Sequence, residues 1–468
     1  MADESRPVVV EIRVKQLFGR FDHQMVLPTE KDFAIVVGPN GVGKTKLLEL
    51  AHAALSWHLH KLTRVRFDEL LIRYSDGASF RFVQVQQSQL PGFVDENAPP
   101  LGKPSLLLSA ELPGQVAEEI PLLSDERSSR HLAHLVDTIL ESSPPDPSVR
   151  RLVTELRRGR NISEILSTID NLGLWELLPD IEAEAFGRPE ACAPYFGSGR
   201  SYLIETQRLV RVEPLTGLND FPPRQRGVEH QRPRPAVLRH ATDLAQKIGA
   251  LDAQSGRLGQ NLDRSFPKRL LDRSRPLREF AEIERDYERQ LQLRGRLEQI
   301  GLLDSERGGF DTLDLRSDVD QTERRVLQTW LEDSAQKLDL FTELLDRVEL
   351  LQSILNEKFL YKTIQIDREA GMRAVADGGA TIPLTQLSSG EQHELVLLYD
   401  LLFNVHSDSL VMIDEPELSL HVSWQRRFIE DMLSISHLRR NRFIVATHSP
   451  QIVDRWGESL VELEGGWD

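Results

Sequence analysis

Residues 33–45 read FAIVVGPNGVGKT, five apolar residues that turn directly into a glycine-rich loop ending in Lys-Thr. The apolar run does not alternate with polar residues, which is the pattern of a strand buried on both faces. The loop fits GxxxxGK[ST] at Gly38, Gly43, Lys44 and Thr45, with Pro39, Asn40, Gly41 and Val42 completing it. The chemistry requires these residue types. Glycines let backbone N–H groups close around phosphate oxygens, and the helix that follows presents its positive end to the same anion. The lysine reaches the outer phosphates and the threonine hydroxyl ligates a magnesium ion. With glycine near 7% of residues, a chance match in a chain of this length is on the order of 2%. The following KLLELAHAALSWHLHKL has helical periodicity with few breakers.

Such a loop needs a carboxylate for the metal at the end of a neighbouring buried strand. SLVMIDEPE (409–417) supplies one: four apolar residues end in Asp414, and Glu415 follows as the natural general base for an attacking water. LTQLSSGEQHELVLL (384–398) places a Ser-Ser-Gly turn at a helix start, which either binds an anion or simply caps its own helix through Ser388 or Ser389. FIVATHSP (443–450) ends a third apolar run in Thr447, His448 and Ser449. A histidine there either senses a phosphate through a hydrogen bond or is structural.

Further out, VVVEIRV (8–14) reads as a strand, and the alternating runs 64–74 and 79–87, joined by SDGA, read as a hairpin. Residues 95–104 form a Pro-rich loop, and about 116–186 is helical apart from SSPPDP (142–147). SYLIETQRLVRV (201–212) reads as a strand, and 213–235 as a Pro/Arg linker. Residues 236–303 and 317–360 are mostly helical. Positions 327, 331, 334, 338, 341, 345, 348, 352, 355 and 359 repeat at three- and four-residue steps, and all but Ser334 and Gln352 are apolar. That seam makes either a rod of about 50 Å or the core of a globular helical subdomain. Leu277, Phe280, Ile283, Tyr287, Leu291, Leu297 and Ile300 could face it, with the turn at ERGGFD (306–311). The end of the chain predicts a helix over 389–405, a strand over 409–413, a helix over 422–436 and a strand over 442–446.

The order of these motifs resembles the ATP-binding cassette (ABC) head, and within it the SMC/RecF-like branch. The resemblance covers roughly residues 5–90, 200–212 and 363–468. It implies an α/β fold: a P-loop head with a mixed sheet, an inserted helical subdomain and a helical or coiled-coil arm. The corresponding domains are 1–110 and 363–468 for the two parts of the head, 111–194 for a helical insertion, 195–222 for a head strand, and 223–362 for linker and arm. By the resemblance, LSSGE (387–391) is the signature motif, whose Ser388 and Gly390 contact the γ-phosphate held by a second subunit. Asp414 and Glu415 become the extended Walker B pair and His448 the switch histidine. Gln207, in LIETQRL, becomes the magnesium-contacting glutamine, with Gln84, Gln86 and Gln87 as competitors. Phe21 in LFGRFDH is the aromatic candidate for adenine. His421 falls where the family often has aspartate.

The wording LFGRFDH, LIETQRL and LSSGEQHELVLLYDLLF…DEPELSLH…ATHSP is similar to ATPases of bacterial anti-phage defence, closest to the ATPase subunits of the PARIS system, with those of Septu and the ATPase half of OLD nucleases as relatives. The implied cofactors are ATP and Mg²⁺. The implied partners are a second copy joined through ATP-sandwiched heads, a separately encoded toprim-like effector nuclease and a phage-encoded trigger protein. A RecF-type DNA-repair ATPase that clamps DNA is the alternative.

Composition sets limits on both readings. Across 468 residues, 57 Lys and Arg against 73 Asp and Glu give a net charge of −16, which argues against a protein that coats nucleic acid nonspecifically. Residues 222–240 and 264–278 are locally basic, as solvated faces or as a DNA groove. The single Cys192 excludes an intramolecular disulfide and a cysteine-hooked arm. No apolar stretch reaches the about 18 residues that span a bilayer, and no secretory signal is visible, so a cytoplasmic location is expected and no membrane partner. A compact transporter subunit would not need the long helical insertions between Lys44 and Asp414.

Overall fold

The computed structural model describes residues 6–85, 105–114, 117–122, 188–197, 199–205, 235–272, 274–303 and 319–463. In chain order these form β1 (Val9–Leu17), β2 (Phe21–Val26), β3 (Phe33–Val37), α1 (Lys44–Leu55), α2 (Leu59–Leu62), β4 (Glu69–Tyr74), β5 (Ser79–Val85), β6 (Ser105–Glu111), β7 (Glu118–Pro121) and β8 (Ser201–Glu205). Then come α3 (Ala236–Leu271), α4 (Phe280–Gln299), α5 (Gln321–Lys358), β9 (Lys362–Asp367), β10 (Gly371–Ala376), β11 (Thr381–Ile382) and α6 (Ser389–Tyr399). The chain closes with β12 (Leu410–Asp414), α7 (Val422–Gln425), α8 (Phe428–Arg439), β13 (Arg442–Ala446), α9 (Pro450–Val453) and β14 (Leu460–Glu462). It is an α/β protein of two compact units, Met1–Pro233 with Val405–Asp468, and Arg234–Asn404.

The first unit holds two sheets. One has five parallel strands in the order β14-β3-β13-β12-β8. Its central members, FAIVV, LVMID and RFIVA, bury almost every side chain, as continuous apolar runs must when both faces are covered. The other has six antiparallel strands in the order β2-β1-β4-β5-β6-β7. Helix α1 shares one core with both sheets, where Leu47, Leu50 and Ala54 meet Ile12, Phe80 and Met412. Trp57, Phe82 and Phe196 fill the far end of that core.

Several local expectations change. The β2 strand was not legible, and β4 starts at Glu69 rather than at residue 64, because a short helix and turn precede it. Glu118–Pro121 pairs with β6 as a strand, although a helix is expected from about residue 116. Residues 123–186, the rest of the span where helix is expected, lie outside the described residues. The expected helix 422–436 is two helices, α7 and α8, with Arg426 and Arg427 between them.

The second unit carries the apolar seam. Leu331, Ser334, Leu338, Phe341, Leu345, Val348, Leu355 and Phe359 are buried, and so are Ile283, Tyr287, Leu297 and Ile300 in and just after α4. The two polar seam positions have specific partners. Ser334 Oγ accepts from Arg294 Nη2 at 2.7 Å, and Gln352 Nε2 donates to the Ile364 carbonyl at 3.0 Å. Asp320 and Glu323 cap α5 reciprocally, so a helix of 38 residues starts cleanly. The turn at 306–311 lies outside the described residues. Helix α3 lies directly on the β9–β10 hairpin: a Cβ at Gly371, whose φ is +76°, would meet the Ala241 carbonyl oxygen at 1.8 Å. In the basic stretch 264–278, Arg269 pairs with Asp333, Arg275 with Glu332 and Arg278 with Asp286. Among the described residues no helix is long and apolar enough to cross a membrane.

Candidate functional site

In a parallel sheet the carboxyl ends of the strands share one edge, and loops leaving that edge gather ligand-binding groups. Register places the motifs there: Asp414 is level with Ala446, and Ala446 with Val36. The P-loop leaves β3 at this edge, the acid pair leaves β12, and the Thr-His-Ser segment leaves β13.

The loop backbone is shaped for close approach. Gly41 and Gly43 take φ of +86° and +94°, the left-handed region open to glycine. A Cβ at Gly43 would also sit 2.8 Å from Leu17 Cδ2. Gly43 is the N-cap of α1 and contributes no side chain, so no capping side chain claims the first N–H groups of that 12-residue helix. Beneath the loop, the buried His23 donates from Nε2 to the Val42 carbonyl at 2.7 Å. Lys44 Nζ donates to the Gly38 and Pro39 carbonyls at 3.0 and 3.3 Å and lies 2.5 Å from His448 Nε2. An ammonium has only donors, so Nε2 is the acceptor in that contact. Burial pushes Lys44 below the usual lysine range, against the opposing pull of Glu415, Asp414 and Glu417. Thr45 Oγ1 donates to Asp414 Oδ2 at 2.8 Å.

Glu415 sits in the left-handed region at φ +47°, a strained turn anchored by its own N–H donating to the Ala446 carbonyl at 2.8 Å. Its Oε1 is 3.9 Å from His448 Nε2. A second acid, Glu417, organises the next strand end. Its Oε2 accepts from Thr447 Oγ1 at 2.7 Å, and its Oε1 accepts from the His448 N–H at 2.6 Å. Ser449 Oγ then donates to Gln425 Oε1 at 2.6 Å, and Gln425 Nε2 donates to the Leu420 carbonyl at 3.1 Å. Sequence reading missed Glu417 and Gln425, although Glu417 stands only two residues past Glu415.

The other expectations divide. Gln207, Gln86 and Gln87 lie outside the described residues. Gln84 donates from Nε2 to the Leu62 and Val65 carbonyls at 2.7 Å each, tying the turn after α2 to β5. Phe21 packs beside His23 at 5.8 Å under Arg20. Phe18 is the aromatic against the P-loop: it is 47% exposed, and its Cε2 lies 3.1 Å from where a Gly43 Cβ would be. His421 caps α7, its Nδ1 facing Ser423 Oγ at 2.7 Å.

The Ser-Ser-Gly turn belongs to the second unit. Ser388 is the N-cap of α6 in a reciprocal box with Glu391, whose Oε2 accepts from the Ser388 N–H at 2.9 Å. Lys362 Nζ in turn donates to Glu391 Oε1 at 2.9 Å, and Lys358 pairs with Glu394 in the interior. Capping is thus real, and it leaves Ser388 exposed and Gly390 half-buried at the helix start.

An uncapped helix start, a lysine aimed along its loop and a hydroxyl–carboxylate pair fit a magnesium-bound triphosphate in charge and donor type. Gly38 to Thr45 would hold the phosphates, and Thr45 with Asp414 the metal.

Residues 235–454, just under half of the chain, match the family described as "AAA domain, putative AbiEii toxin, Type IV TA system". No curated protein matches the chain. Among solved structures, it is similar to the Smc head domain with an extended coiled coil, bound to the C-terminal domain of ScpA, derived from Pyrococcus furiosus. That alignment has 13% identity and a TM-score of 0.33, over 97% of this chain and 93% of that one. A second similar structure is the SmcHead bound to the C-winged helix domain of ScpA, at 11% identity and the same TM-score of 0.33, over 97% of this chain and 94% of the other.

Proposed function

We propose that the chain is an ATPase switch: it binds and hydrolyses ATP with Mg²⁺, pairs two copies around the nucleotide, and in anti-phage defence holds or releases a separately encoded effector nuclease. The observation that carries the catalytic part is the 2.8 Å contact of Thr45 with Asp414, with Lys44, Glu415 and His448 gathered beside it.

Each side chain has a role that follows from its place. The glycine loop and the start of α1 bind the phosphates, and Lys44 adds positive charge where the outer phosphate lies. Thr45 and Asp414 hold the metal, which when bound neutralises charge developing at the transferred phosphoryl group. Glu415, strained outward at the strand end, takes the proton of the attacking water. His448, between Lys44 and Glu415, responds to the state of the phosphate. Ser388 and Gly390 complete the phosphate shell of a second copy. ATP then joins two heads, and hydrolysis loosens them. The family description that names a toxin of a type IV TA system supports a place in such a system. The ion pairs of Arg269, Arg275 and Arg278 leave less open charge on 264–278 for the alternative, a DNA clamp.

The test is Glu415→Gln, sized by light scattering with ATP and Mg²⁺. It is expected to accumulate as a dimer with little turnover, and Ser388→Ala is expected to bind nucleotide as a monomer. Hydrolysis by Glu415→Gln at the wild-type rate would remove the base assignment. Co-purification with the product of an adjacent open reading frame tests the effector.

A further inference from the structure

A second site lies at the opposite end of the same sheet. Strands β8, β12 and β13 begin together, with Ser201 and Arg442 both level with Leu410. Beside these starts is a cavity of about 530 Å³ lined, among the described residues, by Arg6, Arg200, Arg440 and Arg442 and by one acid, Asp408. Five strand residues at about 3.3 Å each put it about 16 Å from the Asp414 edge, so it is not part of the P-loop site.

Four guanidiniums against one carboxylate, counted among the described residues around one cavity, are unexpected in a chain of net charge −16. Two of the four are accounted for. Asp408 pairs with Arg440 at 3.3 Å. Arg442 donates to the Val9 carbonyl at 2.7 Å and to the Pro28 carbonyl at 2.5 Å, which fastens the start of β13. Arg6 and Arg200 have no carboxylate partner among the described residues. Burial, and then the neighbouring Arg6 charge, push the Arg200 guanidinium below its ordinary range. Like charges held together without a counter-charge are costly, and an anion between them removes that cost. Guanidiniums stay charged and match phosphate oxygens two at a time. The rest of the wall is mixed: Leu55, Val9, Leu410 and the ring of Tyr74 are apolar, Ser409 and Tyr195 stand among them, and the Tyr74 hydroxyl is already used, donating to the Tyr195 carbonyl at 2.8 Å. The volume falls within the about 300–1,000 Å³ of small-molecule sites and is too confined for a duplex.

We propose that this cavity binds a phosphate-bearing small molecule, its phosphate between Arg6 and Arg200 and its apolar or ring portion against Leu55 and Tyr74. The protein then has two anion sites at opposite ends of one sheet, one for the triphosphate and one for a smaller phosphorylated compound.

The test uses the full chain with Lys44→Ala, which silences the P-loop. Inorganic pyrophosphate and adenosine monophosphate are titrated separately by calorimetry at low salt. Saturable one-to-one binding is expected, weakened about tenfold or more by Arg200→Gln. Arg6→Gln, at an exposed position with no hydrogen bond or ion pair among the described residues, is expected to weaken it by a similar factor. Tighter binding of the monophosphate would assign the apolar part of the wall to a ring-bearing ligand, and tighter binding of pyrophosphate would assign the site to an inorganic anion. Absence of saturable binding, or binding that both arginine variants leave unchanged, would overturn the proposal.

Discussion

Removing the Glu417 carboxylate is expected to slow turnover without loosening nucleotide binding. Glu417 accepts two hydrogen bonds, from the Thr447 hydroxyl and from the His448 N–H. Bonds to a charged acceptor contribute about 1.5–3 kcal/mol each, so Glu417→Ala forfeits up to about 3–6 kcal/mol of restraint on this loop. The residue is half-buried, and water replaces part of that, leaving about 2 kcal/mol. If that falls on the alignment of His448 with Glu415, the competent arrangement becomes about 30-fold rarer. On the proposed function, Lys44, Thr45 and Asp414 bind phosphate and metal, and Glu417 reaches them only through the lesser pull of its charge on Lys44. We therefore expect kcat of Glu417→Ala to fall about 10- to 30-fold while KM for ATP stays within about threefold. Glu417→Gln keeps one carbonyl acceptor and should lose only about fivefold. Phosphate release across a range of ATP concentrations separates the two parameters. An alanine variant with kcat within twofold of wild type, or a loss that falls on KM, would refute the argument that this acid positions the histidine.

Lys44→Ala is expected to abolish nucleotide binding in an equilibrium assay with a fluorescent ATP analogue, and unchanged affinity would remove the P-loop argument. Burial, and then the nearby Lys61 charge, lower His52 to about 4. Below pH 6.5 the unfolded chain therefore binds a proton that the folded chain refuses. Stability should be flat above pH 6.5 and fall by about 2 kcal/mol by pH 5 through this group. Urea midpoints of wild type and His52→Gln at the two pH values read the difference, and parallel slopes would contradict it. Burial, and then the charge of Glu118, push the Cys192 thiol up to about 11. Alkylation of the native chain at pH 8 should therefore run about 100-fold slower than for an ordinary thiol, and become fast in denaturant.

The nucleotide edge was legible in sequence because each of its three central strands is an unbroken apolar run ending in a reactive residue. Nothing outside FAIVV-GPNGVGKT, LVMID-E and RFIVA-TH is needed to see it. The apolar seam of α5 was legible for the same reason, since a three-four repeat belongs to one helix. What stayed hidden is non-local. FDHQMV forms β2 only because β1 pairs with it, its His23 facing down onto the P-loop carbonyl. Glu417 reads as a plain surface acid until β12 and β13 lie side by side and bring Thr447 and His448 to it. Phe18, which sequence reading passed over, lies against Gly43 of the P-loop, and its positive φ of 58° is not visible in the sequence. The arginines of the second cavity come from three distant stretches, so no local window shows a basic patch.

The sheet that carries the phosphate loop is interrupted by the whole of Arg234–Asn404 between β8 and β12. On the ribosome this has a temporal consequence. The FAIVV strand is the first of the five to emerge, but the strands that flank it, β13 and β14, come about 400 residues later; at about 5–20 residues per second that is a delay of roughly 20–80 s. During that interval an apolar strand with both edges open is a substrate for chaperones. On the proposed function, the nascent chain cannot grip nucleotide before β12 and β13 have been translated, so a product that terminates ahead of them would be inert rather than unregulated.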